Sequence, residues 1–381
     1  MGPSASRSGT GFAPIKTMLV RTIAIIGVLV GVAAPVVGAP TIKVGMVTRT
    51  YADETRTAWE ATGPRPLATV IWYPAGPSRK VEYVFEGPPE TQVFDSVAVA
   101  TDAPIARTKA KYPLILLSHG TGSSANQLIW FAHHLASRGY IAAAVNHHGN
   151  TAAEKQFFPQ GFTLVWERPR DLSVLLDKLL ADPVVGPRID QNRIGAAGFS
   201  LGGYSAIALA GGKYSPDTFD AFCRSPERDF TCDPQPELPE ASARMVELRK
   251  SDLQVNESIA RSNDSYRDPR IKAVFAMAPV LAHGFTQNRL TDVTVPVRIV
   301  VGEADKVAPM QTNALHYTQL IPQAELSVLH GNVGHYEFLA TCTAYGRRNV
   351  AICKDAPGVN RPYVHREVAN MAFEFFARSW R

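Results

Sequence analysis

The pentapeptide Gly198-Phe199-Ser200-Leu201-Gly202 sets a hydroxyl inside a glycine-framed pattern that fits a sharp turn between a strand and a helix. Such a turn projects the serine from the sheet edge, and its glycines are needed where a Cβ would collide with neighbouring backbone. Alone the pattern is weak, but residues 194–197 read as a strand before it and residues 200–210 as an alanine-rich helix after it. A serine hydroxyl is a poor nucleophile, so it needs a base to take its proton and a third group to orient that base. In strand–turn–helix sites of this kind the acid and then the histidine follow the serine in the chain. Asp305, just beyond a predicted strand at 297–301, is the expected acid, with Glu303 as its rival. His335, in the loop after a predicted strand at 326–329, is the expected base, with His330 as competitor. The oxyanion donors would be the amides of Leu201, next to the serine, and of Thr121, in the turn Ser118-His119-Gly120-Thr121-Gly122-Ser123.

Other residues invite roles and have plainer readings. His119 precedes the serine in the chain and is expected to brace its loop. His147 and His148 are adjacent on an extended segment, so their side chains diverge, and no acid or cysteine is placed beside them to complete a metal site. Loop bracing or substrate contact is the better reading, and His148, Phe199 and Phe338 are the expected substrate contacts. Trp72, Trp130 and Trp166 read as packing residues.

The elements that must hold these side chains alternate. Predicted strands at 68–73, 114–117, 141–145, 194–197, 271–277, 297–301 and 326–329 are interleaved with helices at 126–138, 169–180, 200–210, 312–320 and 365–378. Continuous apolar strands separated by helices call for a mostly parallel sheet covered on both faces, an α/β class. Residues 211–269 break the rhythm with prolines, charges and one predicted helix at 240–259. That stretch is an insertion, either a lid-like cover or a surface excursion.

Of 381 residues, 45% are hydrophobic and 19% charged, an ordinary globular composition. The net charge is +5, and Arg7, Lys16 and Arg21 supply three of those charges from a leader without acids, too mild a balance for a nucleic-acid partner. Residues 23–37 form an apolar run ending in Val37-Gly38-Ala39, the form of a signal peptide at 1–39, with Met18 an alternative start. The run is shorter than a membrane span needs, which leaves a secreted or periplasmic domain at 40–381 with no stable membrane span. The four cysteines are expected to pair locally, Cys223 with Cys232 and Cys342 with Cys353, buried thiols being the alternative.

Together these segments resemble the α/β-hydrolases related to platelet-activating-factor acetylhydrolase, a group that includes bacterial predicted dienelactone hydrolases. The resemblance rests on Arg65-Pro66-Leu67, Ile71-Trp72-Tyr73-Pro74, Ser118-His119-Gly120, His148-Gly149-Asn150-Thr151 and Arg168-Pro169 with Asp171. It continues through Gly198 to Gly203, the run Asp268 to Ala273, and Gly334-His335 with Phe338, spanning about residue 43 to the C-terminus. It implies the α/β-hydrolase fold and hydrolysis of a small-molecule, lipid or polymer ester through an acyl-enzyme, without metal or organic cofactor. Residue by residue it implies Ser200, Asp305 and His335 as the catalytic set, with the amides of Thr121 and Leu201. Dienelactone hydrolases carry cysteine where this chain has Ser200, which argues against that activity. Animal acetylhydrolases take their acid from an earlier strand end, but residues 271–279 offer no carboxylate, so Asp305 is favoured. An interfacial lipase or phospholipase is the alternative enzyme, and a non-catalytic binding protein the alternative class.

Overall fold

A computed structural model describes residues 43–59, 63–78, 80–85, 88, 90–101 and 103–381. The expected signal segment at 1–39 lies outside the described residues.

Among the described residues eight strands form one sheet: β1 (Val44–Thr57), β2 (Pro64–Pro74), β3 (Tyr112–Ser118), β4 (Ile141–Val145), β5 (Ile189–Phe199), β6 (Val274–Met277), β7 (Val297–Gly302) and β8 (Ala324–Leu329). Their spatial order is β1-β2-β4-β3-β5-β6-β7-β8. From β4 to β8 every neighbouring pair is parallel, while β1 pairs antiparallel with β2 and β2 antiparallel with β4. The expected mostly parallel sheet is present, with an antiparallel flank that carries β1. That 14-residue strand buries its first three residues and leaves most of the rest partly covered or exposed, so it lacks the continuous apolar run that marks its neighbours.

Burial on both faces explains the apolar strands. Leu114 and Leu116 of β3 join one core cluster and Ile115 and Leu117 the other, as the two-residue period of a strand requires. The first face is covered by α2 (Glu167–Ala181), whose Leu172, Leu175, Leu176 and Leu179 fall on one helical stripe, and by α3 (Leu201–Leu209). The second is covered by α1 (Ile129–Ala136), preceded by the 3-10 turn Ala125–Leu128, and by the C-terminal helix Arg361–Ser379, which buries Val368, Ala372, Phe375 and Phe376.

The insertion is more structured than its composition suggested. It holds α4 (Pro216–Cys223), α5 (Ala241–Leu248) and α6 (Leu253–Ala260). The single helix expected at 240–259 is therefore two. The break has a local cause: Asp252 turns out of the helix and its side chain accepts the Val255 N–H at 3.1 Å, capping α6. Cysteines pair locally, Cys223 with Cys232 and Cys342 with Cys353. Among the described residues no helix is long and apolar enough to cross a membrane.

Candidate active site

Ser200 sits between β5 and α3 with φ +56° and ψ −119°, a conformation that costs a non-glycine residue energy and must be imposed by its surroundings. Two glycines make the turn possible. A Cβ on Gly202 would lie 1.8 Å from the Ser118 carbonyl oxygen, and one on Gly198 would lie 2.2 Å from the Gly202 oxygen. The Ser200 N–H donates to the Met277 carbonyl at 2.8 Å, tying the turn to β6.

The structure brings three side chains into a hydrogen-bonded chain. His335 Nε2 is 3.0 Å from Ser200 Oγ, and His335 Nδ1 is 2.7 Å from Asp305 Oδ2. Asp305 follows β7, and its Oδ1 accepts the N–H groups of Val307 at 2.9 Å and Ala308 at 2.7 Å, which fixes the carboxylate. His335 follows β8 and packs against the Phe199 ring, 4.8 Å between centroids. The side chains of both partners are almost wholly buried. Such an array orients the imidazole so that Nε2 can take the serine proton. The rivals are engaged elsewhere: His330 Nδ1 lies 2.8 Å from Glu303 Oε2 in an exposed pair. There the N–H of Asn332, the His330 ring and the N–H of Gly331 pull the Glu303 carboxyl down to about 2.

Leu201 opens α3, so its N–H has no acceptor within the helix. Thr121 follows β3 and borders the same clefts as Ser200. The loop that carries Thr121 is braced from below. His119 Nδ1 donates to the Gly120 carbonyl at 2.7 Å and its Nε2 accepts the His147 N–H at 3.1 Å. Burial holds the His119 imidazole neutral, well below its ordinary range. His147 joins Ser118 Oγ at 2.9 Å to Asp171 Oδ2 at 2.9 Å, and burial pushes its pKa down to about 3. Asp171 also receives Arg65 Nε at 2.8 Å and Arg56 Nη2 at 2.7 Å.

Arg168, which the sequence marks only as part of the family resemblance, has a role that sequence reasoning did not assign. Fully buried, it donates from Nη2 to the His119 carbonyl and from Nε to Ser205 Oγ at 3.2 Å, and Ser205 Oγ donates to the Leu201 carbonyl at 2.8 Å. It thus links the loop of Thr121 to the helix of Leu201. Its signal was available as an arginine and an aspartate on the otherwise apolar stripe of α2, where buried charges demand partners.

Two expected substrate contacts are not brought to the site. His148 is occupied on both nitrogens: Nδ1 lies 2.8 Å from Glu154 Oε1, and Nε2 accepts the Trp59 N–H at 2.9 Å. Phe338 is fully buried and stacks behind Phe199, whereas Phe199 itself borders a cavity. Trp166, read as packing, is buried and also borders the cleft.

Two cavities meet at Ser200. One of about 240 Å³ is bordered by Phe94, Phe199, His335, Tyr336, Leu339 and Ile352. The other, about 710 Å³, is bordered by Leu201, Phe162, Trp166, Tyr214, Met245 and Leu281. Phe230 and Gln235 of the insertion border both, so the insertion is part of the wall. A hollow of about 900 Å³ beside Arg56, Arg170 and Glu167 includes none of Ser200, Asp305 and His335. Among the described residues no group of three or more His, Cys, Asp or Glu side chains is placed to hold a metal ion.

Known proteins share part of this chain's sequence and its fold. The profile of the family "Platelet-activating factor acetylhydrolase, isoform II" matches residues 91–171, which include Thr121, His147 and Asp171 and stop short of Ser200. "Lipase 1" of Moraxella sp. (strain TA144) is 34% identical over 91 residues, 24% of this chain and 25% of the lipase. The match therefore spans a quarter of the length of that relative. A ferulic acid esterase from Streptomyces cinnamoneus superposes with a TM-score of 0.55 at 21% identity, covering 91% of this chain and 92% of the esterase. At that identity the likeness shows the shared fold.

Proposed function

We propose that this chain, an α/β-hydrolase resembling the platelet-activating factor acetylhydrolases, is an exported serine hydrolase that cleaves carboxylic esters. His335 Nε2 takes the proton of Ser200 Oγ as that oxygen attacks the ester carbonyl. The oxyanion that forms is held by the N–H groups of Leu201 and Thr121. The same nitrogen then gives its proton to the departing alkoxide, leaving the acyl group on Ser200. Water enters, loses a proton to His335, adds to the acyl carbon, and releases the acid as Ser200 recovers its proton.

The observation that carries this reading is the hydrogen-bonded chain from Ser200 Oγ through His335 to Asp305, at 3.0 and 2.7 Å, on a turn with positive φ. The acetylhydrolase, lipase and esterase similarities support the same chemistry. Export is supported by the basic and apolar leader and by the pairing of all four cysteines. The interfacial alternative draws on Phe230, Val246 and Leu253, large apolar side chains exposed on the insertion.

A fluorophosphonate with mass-spectrometric readout tests the nucleophile. One adduct per chain, mapped to Ser200 and abolished by Ser200→Ala, is expected. Absence of labelling, or labelling that survives Ser200→Ala, defeats the proposal. Rates on p-nitrophenyl esters with and without lipid aggregates separate a monomeric-substrate esterase from an interfacial lipase.

A further inference from the structure

The two cavities that meet at Ser200 are chemically unequal. Ser200, Thr121 and Val307 border both, but His335 borders only the smaller one and Leu201 only the larger. In the reaction proposed above, on which this inference rests, one nitrogen must reach two oxygens in turn. His335 Nε2 first takes the Ser200 proton and then delivers it to the alkoxide as the carbon–oxygen bond breaks. The leaving oxygen must therefore lie on the histidine side of the serine. The carbonyl oxygen faces the amides of Leu201 and Thr121, and the remaining substituent of that carbon, the acyl chain, is left with the side away from the imidazole.

We infer that the cavity of about 240 Å³ receives the alcohol portion of the substrate and the cavity of about 710 Å³ the acyl portion, so that the preferred substrates are esters of a bulky acid with a small alcohol. The sizes differ in kind. The larger falls inside the range of roughly 300–1,000 Å³ typical of pockets that enclose drug-sized ligands, and the smaller falls below it. Phe162, Trp166, Leu238, Met245, Ile259 and Leu281 offer the larger cavity apolar surface for a long chain, beside the polar Asp217, Asp220, Asp233 and Arg249. The smaller is bordered by the bulky side chains of Phe94, Tyr336, Leu339 and Ile352. The insertion contributes Leu238, Met245 and Ile259 to the acyl side, so it acts as a specificity wall.

An isomeric pair tests the assignment without changing the protein. Ethyl hexanoate and hexyl acetate have the same atoms and differ only in which side of the carbonyl carries the chain. Each buried methylene is worth up to about fourfold in transition-state binding, so a few accommodated on one side and refused on the other produce a large ratio. The expected kcat/KM, followed by pH-stat below the solubility limits, favours ethyl hexanoate at least tenfold. A ratio of one or less overturns the assignment. Two variants locate the effect. Met245→Trp is expected to lower the ratio of p-nitrophenyl hexanoate over p-nitrophenyl acetate at least tenfold, and Ile352→Trp to lower the ratio of p-nitrophenyl hexanoate over methyl hexanoate. The reverse pattern overturns the assignment, and the isomeric pair decides alone if either variant fails to fold. Fluorophosphonate titration of every sample separates the two levels: full labelling with the wrong ratios sinks only the cavity assignment, and absent labelling sinks the serine-hydrolase reading beneath it.

Discussion

Asp171→Asn keeps the shape of the side chain and removes its charge, at a point where the fold gathers several cations. Asp171 is wholly buried, with Arg65 Nε at 2.8 Å, Arg65 Nη2 at 3.1 Å, Arg56 Nη2 at 2.7 Å and His147 Nδ1 at 2.9 Å. Burial alone would raise its pKa, but the Arg65 and Arg56 guanidinium groups overcome that and hold it well below the usual carboxylate range. Arg56 keeps Asp53 at 2.6 Å and Glu167 at 2.8 Å, whereas Arg65 loses its ion-pair partner altogether. Removing one partner of a buried ion pair costs about 3–5 kcal/mol, because a charge is left in a place water does not reach. A unit of roughly 340 residues unfolds with an entropy near 0.7 kcal/mol/K, so Tm should fall by roughly 4–7 °C. Calorimetry of the purified variant at neutral pH measures this directly. Arg65→Met in the Asp171→Asn background should recover part of the loss, since the stranded charge is then gone. A Tm within about 1 °C of the parent would refute the claim that this carboxylate is what makes Arg65 tolerable in the core.

The remaining predictions concern the site and its supports. Asp305→Asn should lower kcat on p-nitrophenyl butyrate about 10,000-fold, while Glu303→Gln leaves it within a few-fold; a loss below tenfold for Asp305→Asn would transfer the orienting role elsewhere. Acid should weaken the fold through His147, whose folded pKa is pushed from 6.5 down to about 3 by burial. The unfolded chain binds a proton below about pH 6.5 and the folded chain does not until about pH 3, so this stabilisation is complete above pH 6.5. It declines by roughly 1.4 kcal/mol per pH unit across that window, and an unchanged urea midpoint between pH 7 and pH 4.5 would contradict it. Replacing Cys342 and Cys353 together with serine opens a covalent loop of 11-residue separation and should cost about 3 kcal/mol, read as a Tm drop of roughly 4 °C.

The parts of this architecture legible in the sequence are those where one local pattern dominates. Strands β3, β4 and β6 are wholly buried and β5 and β7 mostly so, and they announce themselves as apolar runs, while the glycines around Ser200 mark a turn because a Cβ at Gly202 would strike Ser118. The chain order of serine, acid and histidine, combined with strand ends, picks out Asp305 and His335, the two residues that the structure brings to Ser200. Strand β1 was missed because nine of its fourteen positions are partly covered or exposed and its polar residues conceal the period. The break between α5 and α6 was missed because the Asp252 cap lies inside a stretch whose composition still favours helix. The stripe of α2 shows that Arg168 must find a partner, but which groups Arg168 and His148 meet was illegible for another reason. Their partners, the His119 carbonyl for one and Glu154 with the Trp59 N–H for the other, are set by tertiary contact, which spacing along the chain does not encode.

The two sulfur bridges have a consequence beyond stability, because each closes a loop at the rim of a different cavity. Cys223 and Cys232 border the larger one, and the loop closed by Cys342 and Cys353 supplies Ile352 to the smaller. None of the four cysteines lies in a strand of the sheet, so protein matured under reducing conditions would keep its secondary structure at lower stability while its rims slackened. Discrimination among substrates would then become a record of where the chain matured: oxidised and reduced preparations with matching circular dichroism would differ in how sharply they sort molecules by size.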